Sequence, residues 1–232
     1  MRKSHSYDES KSMTNCPYCF RDLHQQESFL HYLYRDSCLC GTCRKQLVVV
    51  NKKVVIDGLP ITMFYQYNDF FESMIFQFKE GRDIALRQVF FHECIKQLND
   101  RYRHFTIILM PSSKEKMMER RFLPVKEMLC ECKLPILEPF YKVNNHKQSL
   151  QSMETRKMIA QVIKRNPTIK IPPKPLLLVD DVCTSGSTIL CAYKKLLPHR
   201  FKIEAFVLSA HPLFVESCDE KGLLKKTGFS IL

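Results

Sequence analysis

Residues 176 to 188 read LLLVDDVCTSGST, and their order assembles groups that can bind a phosphorylated sugar. Four apolar residues, Leu176 to Val179, have the length and composition of a buried parallel strand. Asp180 and Asp181 follow at its carboxyl end, and a loop of small and hydroxyl-bearing residues then leads into an apparent helix over 188 to 197. In an open α/β sheet, ligands bind beyond the carboxyl ends of strands, where helix N-termini present unpaired N–H groups. Thr184, Ser185, Gly186, Ser187 and Thr188 can wrap a phosphate with amide and hydroxyl donors, with Gly186 permitting close backbone approach or positive φ. The two carboxylates can accept hydrogen bonds from vicinal ribose hydroxyls. Each element alone is ordinary α/β punctuation; the ordered combination points to a ligand. A Walker-type loop is disfavoured, because no Gly-Lys-Ser/Thr follows the glycine.

Cysteine supplies the second chemistry. The chain has 11 cysteines, and its opening MRKSHSYDESKSMTN lacks the apolar core of a secretory signal. A cytoplasmic setting follows as the expectation, and there cysteines serve metal ligation or the reduced core rather than a disulfide framework. Cys16-Pro17-Tyr18-Cys19 is followed after 20 residues by Cys40-Gly41-Thr42-Cys43. Paired CxxC turns of this kind hold one tetrahedral structural zinc ion. Cys38 competes for a place among the ligands, and His24 and His31 lie inside the intervening loop. Cys94, Cys130, Cys132, Cys183, Cys191 and Cys218 are scattered and read as structural, Cys183 being the one placed inside the phosphate loop.

Size and charge bound the elements that must position these groups. The chain of 232 residues can bury a full core, and its net charge of +12 with pI near 9.2 suits a polyanionic or phosphorylated partner. No apolar run approaches the roughly 20 residues of a membrane span. Residues 1 to 13 read as a polar tail, with Met13 an alternative start, 14 to 47 as the zinc module and 48 to 232 as the main domain.

Within that domain, residues 46 to 56 read as a hairpin around Asn51-Lys52-Lys53, and 61 to 67 as a strand turned by Asn68-Asp69. The spacing of Phe71, Met74, Ile75 and Phe78 predicts a helix over 70 to 79, broken by Gly81 and followed by a second over 83 to 98. A strand from His104 ends in Pro111-Ser112-Ser113, a suitable exit for pyrophosphate, and a basic stretch, Lys114 to Arg121, follows it. A helix over 125 to 132, a strand over 136 to 141, a polar segment containing Gln148, Gln151 and Arg156, and a helix over 155 to 165 come next. Three prolines between Lys170 and Pro175 lead to the motif strand, and a further strand spans 203 to 210. The last twenty residues show little pattern. Strands alternating with helices imply an α/β domain with a parallel sheet covered on both faces, the cysteine module being appended at its N-terminus.

The motif over 176 to 188 resembles the PRPP-binding signature of type I phosphoribosyltransferases. With CPYC…CGTC ahead of it, then YQYNDFFESMIFQFKEGRDIA, MPSSKEKMMERRFLPVKEML and KQSLQSMETR, the chain over about 14 to 210 resembles the ComF family. Lys79 and Gly81 fall in the second of these stretches. The resemblance implies a parallel-sheet, type I phosphoribosyltransferase-like domain behind a four-cysteine zinc module. It implies a competence role in natural transformation, in which single-stranded DNA entering the cytoplasm is handled beside the DNA-uptake helicase.

If such a protein is an active transferase, pyrophosphate is displaced from PRPP through an oxocarbenium-like state. Asp180 and Asp181 then hold the ribose hydroxyls, the loop from Thr184 to Thr188 grips the 5-phosphate, and Mg²⁺ arrives on the pyrophosphate near Ser112. Arg120 or Arg121 counters the leaving charge. Two departures weigh against pyrophosphate binding more than against 5-phosphate binding. The family's Arg-Gly-Phe-Asn run reads Arg120-Arg121-Phe122-Leu123, and its proline loop keeps only Pro111. Thr184 also stands where 6-oxopurine salvage enzymes carry an aspartate, so the acceptor base is not legible. The leading expectation is a DNA-uptake protein with a PRPP-type sugar-phosphate site, and the alternative is a transferase moving ribose 5-phosphate to an unknown acceptor. A zinc-ribbon transcription factor is disfavoured because no recognition helix follows the cysteines.

Overall fold

The computed structural model describes residues 14–23, 38–143, 163–220 and 224–226. A seven-stranded sheet runs through it in the order β4 (Ile136–Leu137), β3 (Thr106–Leu109), β7 (Leu176–Cys183), β8 (Ile203–Ala210), β2 (Leu59–Gln66), β1 (Val49–Ile56) and β9 (Leu224–Lys226). The first five pair in parallel, and β1 pairs antiparallel to both β2 and β9. A second sheet is the antiparallel ribbon of β5 (Phe140–Lys142) and β6 (Ile163–Arg165). The expected α/β architecture with a mostly parallel sheet is borne out.

Side chains alternate between two cores because the strand period is two. Ile107, Leu109, Leu177, Val179 and Leu208 enter one core, and Ile108, Leu176, Leu178, Ala205 and Val207 enter the other. The first core is covered by α2 (Asp69–Lys79), α3 (Ile95–Arg101) and α5 (Pro124–Met128), and the second by α6 (Ser187–Leu196) and α7 (Pro212–Glu220). Helix α2 buries Phe71, Met74, Ile75 and Phe78, the stripe its sequence announces, and Asn68 caps it by accepting from Phe71 N at 2.9 Å. The short helix α1 (Gly41–Arg44) belongs to the cysteine module, whose Cys16, Leu23, Leu39, Cys40 and Cys43 lie in the same core as α2. The module therefore shares the first core with the sheet.

Several local expectations are corrected. The hairpin turns at Asp57-Gly58, both at positive φ (49° and 81°), whereas Asn51 to Lys53 lie within β1. Asp-Gly supplies the left-handed backbone a two-residue turn needs; Asn51, at φ 43°, only marks a register shift between Val49 and Lys52. The helix expected over 83 to 98 is a 3₁₀ turn (Ile84–Gln88), an irregular stretch, and α3. Consecutive Phe90 and Phe91 are both buried, Phe90 against Phe71 and Phe78 and Phe91 against Phe206. The helix expected over 125 to 132 stops at Met128, with Leu129 as its cap.

The strand expected over 136 to 141 is divided at Pro139, which has no N–H to continue a ladder, so β4 joins the main sheet and β5 leaves for β6. Residues 163 to 165 are strand, not helix; the rest of that expected helix, with Gln148, Gln151 and Arg156, lies outside the described residues. The C-terminal stretch contains α7 and β9, which its weak periodicity conceals. The basic stretch after Ser113 is helix α4 (Lys114–Arg120), with Ser113 as its N-cap. Among the described residues no helix is long and apolar enough to cross a membrane.

Phe71 is fully buried against Tyr65, Tyr67 and Phe90. Truncation to alanine is expected to lower stability by about 3–5 kcal/mol, measured as a fall in the urea midpoint.

Candidate functional site

The paired acids lie within β7, held between β3 and β8. Alternation continues through them. Asp180 shares the face of Leu176 and Leu178, and Asp181 the face of Leu177 and Val179. Asp181 Oδ2 consequently meets Lys79 Nζ, at 2.5 Å, from the last turn of α2, while its Oδ1 accepts from Val182 N at 2.7 Å. Asp180 Oδ1 accepts from Asp181 N at 3.0 Å. No cation lies within ion-pair distance of Asp180 among the described residues.

This asymmetry separates the two carboxyls electrostatically. Burial, with the charge of Asp181 second, pushes Asp180 up to about 7, partly opposed by the positive charges of Lys79 and Lys142. Tyr67 N donates to Ala210 O beside this site, and the Tyr67 ring stacks on His211 with centroids 6.3 Å apart. Burial, then the charge of Glu72 and its hydrogen bond, raises the Tyr67 hydroxyl, and Asp181 adds to the effect.

The loop after β7 keeps its donors accessible. Thr184 and Ser185 are exposed, Ser187 and Thr188 half-buried, and Gly186 buried. Gly186 takes φ 71°, ψ −3° and serves as N-cap of α6 without a side-chain cap. A Cβ at Gly186 would meet the Phe214 ring at 3.4 Å, so α7 backs the loop from beneath. Ser185 Oγ lies 2.8 Å from Ser187 Oγ and accepts from Ser187 N at 3.4 Å. The amides of the first turn of α6 thus follow directly on two exposed hydroxyl residues.

Ser112 is half-buried at the carboxyl exit of β3, one strand from the acids. Arg120 turns inward: it is 7% exposed, and its Nη2 lies 2.6 Å from Glu80 Oε1. The Arg120 hydrogen bond holds the Glu80 carboxyl below its ordinary value. Arg121 is exposed and caps α4 at φ 65°. The sequence pattern brought Asp180, Asp181 and the loop together, but it did not single out Tyr67, Lys142, Phe214 or His211 as neighbours. Lys79 had one signal, its place before Gly81 in a stretch that resembles the ComF family.

The cysteines form a second site. Phe20 N donates to Cys16 O at 2.8 Å, closing the first CxxC turn, and Arg44 N donates to Cys40 O at 2.9 Å as α1 begins after the second pair's leading thiol. The four Sγ atoms of Cys16, Cys19, Cys40 and Cys43 lie within 4.8 Å of one another, Cys19 and Cys40 at 3.6 Å. A tetrahedral ion with Zn–S bonds of about 2.3 Å spaces its sulfurs by about 3.8 Å, so the cluster can hold one metal ion and the donor set suits structural zinc.

Cys40, not Cys38, completes the cluster; burial pushes the Cys38 thiol up to about 12. His24 and His31 lie outside the described residues. The module is docked by Arg44, whose Nε and Nη2 meet Glu93 at 2.9 and 3.0 Å, and by Tyr18, which packs on Phe70 and donates to Ser73 Oγ at 3.0 Å.

No family model matches the chain. It is similar to competence protein ComFC of Bacillus subtilis (strain 168), with 29% identity over 136 residues, 57% of this chain and 56% of that protein. It is similar also to competence protein ComFC of Streptococcus pneumoniae (strain ATCC BAA-255 / R6), with 27% identity over 177 residues, 66% of this chain and 79% of that protein. The chain thus spans little more than half the length of the Bacillus relative. These relatives bear out the resemblance to the ComF family. Among solved structures, it is similar to adenine phosphoribosyltransferase from Saccharomyces cerevisiae, with 10% identity, 82% of this chain and 96% of that one, and TM-score 0.42. A hypoxanthine phosphoribosyltransferase from Staphylococcus aureus gives 15% identity over 64% of this chain and 70% of that one, with TM-score 0.35.

Two outcomes follow from this geometry. Because the folded-state value of Asp180 is raised from 3.8 to about 7, the native state binds the proton more tightly than the unfolded chain does. The contribution is fully present below the lower value and is lost as pH rises through the upper one. Stability relative to Asp180→Asn should therefore decline from about pH 4 to pH 7, as read by urea midpoints of the two proteins across that range. Gly186→Ala forces left-handed backbone on a residue with Cβ and should cost about 1–2 kcal/mol in the same measurement.

Proposed function

We propose that the protein serves competence, acting in DNA uptake and natural transformation, where it handles incoming single-stranded DNA through a sugar-phosphate site of PRPP type. The carrying observation is the end of β7: Asp180 and Asp181, then the exposed Thr184 and Ser185, then the first turn of α6. Donors able to grip a 5-phosphate thus sit a few residues from carboxylates able to accept ribose hydroxyls. The net charge of +12 favours a polyanion, and the ComFC relatives direct the reading toward competence.

In this reading Asp181 and Lys79 form a held pair, while Asp180, Thr184, Ser185, Ser187 and Thr188 meet the ligand, with Ser112 at the neighbouring strand exit. Arg120 contributes only by giving up Glu80. The four cysteines hold a structural zinc ion that fixes α1 and, through Arg44, the docking to Glu93. The protein works in the cytoplasm beside the DNA-uptake helicase.

The alternative is an active phosphoribosyltransferase, favoured by one observation: Asp180 sits at the carboxyl end of β7 with no ion-paired cation among the described residues, where burial pushes its carboxyl up toward neutral pH and suits it to proton transfer. Displacement of pyrophosphate from PRPP then uses the same loop and acids to hold the ribosyl 5-phosphate in place. Mg²⁺ would supply charge neutralisation for the pyrophosphate, near Ser112.

Calorimetric titration with PRPP is expected to show binding that Asp180→Asn weakens tenfold or more, about 1.4 kcal/mol; absence of PRPP binding would sink the sugar-phosphate site. Pyrophosphate release with any nucleobase, lost in the same variant, would favour turnover over binding alone. Metal analysis is expected to find about one zinc per chain, with a lower melting temperature after chelation; freshly purified protein with no metal would remove the cysteine assignment.

A further inference from the structure

The ribbon of β5 and β6 stands apart from the main sheet and carries an unusual set of side chains. Its inward residues Phe140 and Ile163 are buried in the second core, so Tyr141 and Lys164, which pair directly across the two strands, face outward together. Tyr141 is 37% exposed. From Ile163 to Pro175 the chain carries Lys164, Arg165, Lys170 and Lys174 and no carboxylate. All four are exposed, and among the described residues none has an ion-pair partner. Of these, Lys164 sets a positive charge, with no ion-pair partner among the described residues, directly beside an accessible aromatic ring.

A cavity of about 130 Å³ opens next to that ring. Met110, Leu123, Val125 and Phe140 give it apolar lining, with Ser112 and Tyr141 among its polar groups. Its one carboxylate, Glu138, is neutralised by Lys126 Nζ at 2.8 Å. The cavity lies at the carboxyl end of β3, whose Leu109 pairs with Val179, the residue before Asp180. Lys142, at the end of β5, is close enough for its charge to act on Asp180. Ribbon, cavity and acids are therefore contiguous.

We propose that this ribbon is the docking surface for single-stranded nucleic acid, with one unstacked base seated at the cavity against Tyr141 and the adjoining phosphate on Lys164, its partner across the ribbon. The proposal rests on the single-strand reading above and deepens it by naming the surface. The charge selects a polyanion, and the apolar cavity beside an aromatic ring selects an exposed base face. A duplex keeps its bases stacked inside and would leave Tyr141 and the cavity unused. A strand placed here would run toward the end of β7, bringing its sugar-phosphate chain to Asp180.

The test uses the full chain and a fluorescein-labelled oligothymidylate of about 20 nucleotides, followed by anisotropy over a range of salt. Tyr141→Ala should weaken binding roughly tenfold, within the range for one stacked base, and Tyr141→Phe should bind like wild type because the ring remains. Lys164→Glu should weaken binding further and reduce the slope of log affinity against log salt by about 0.7, one phosphate contact on a single strand. Wild-type affinity in these variants, or duplex binding as tight as single-strand binding, would overturn the ribbon as the surface while leaving the single-strand reading in place. Failure of the wild-type protein to bind the oligothymidylate at any salt would remove both.

Discussion

The structure depends on the central position of β7. It is hydrogen-bonded on both sides by parallel neighbours, and Leu176 to Val179 are fully buried between two cores. A strand so enclosed cannot slip its register without turning every side chain to the wrong face. That rigidity is what delivers two adjacent carboxylates to fixed and different surroundings. Asp181 is delivered to Lys79, and Asp180 to a semi-enclosed space with no paired cation among the described residues. A flexible loop carrying the same Asp-Asp pair would let both acids reach water, and neither would be distinguished from the other.

Helix α2 ties the remaining parts to that strand. Its buried stripe helps fill the first core, and its last residue Lys79 and C-cap Glu80 reach Asp181 and Arg120. Phe70 and Ser73 receive Tyr18 of the first CxxC turn, while Glu93, a little further on, receives Arg44 that follows Cys43. Cysteine cluster, core and acids are thus joined through one helix and the segment that follows it. A metal ion held by the four cysteines would order, with the module, one wall of the core from which Lys79 projects.

The legible features were those governed by short-range rules. CxxC spacing aims two thiols from one turn, the stripe in α2 repeats every three to four residues, and the apolar run before Asp180 is long enough to be a strand. Where the reading failed, a distant partner had decided. Asn51-Lys52-Lys53 looks like a turn, yet pairing with β2 and β9 draws it into β1. Phe90 and Phe91 are drawn to different ring partners, so the long helix expected there is interrupted. The ribbon of β5 and β6 joins segments more than twenty residues apart, and α7 has too few buried positions to announce itself.

By itself the amino-acid order determined the chemical inventory: four thiols in two CxxC turns, two neighbouring carboxylates at a strand end, and a hydroxyl-rich loop with a glycine where the backbone becomes left-handed. Each CxxC turn and the strand-to-loop motif are short runs of chain, and local sterics and hydrogen bonding specify them. Only the tertiary structure decided which acid is neutralised by Lys79, that Cys40 rather than Cys38 joins the cluster, and that Arg120 turns toward Glu80. These outcomes depend on distances between groups separated by tens of residues, and electrostatic and packing energies at such sites follow separation in space, which chain order leaves open until the sheet and helices have assembled.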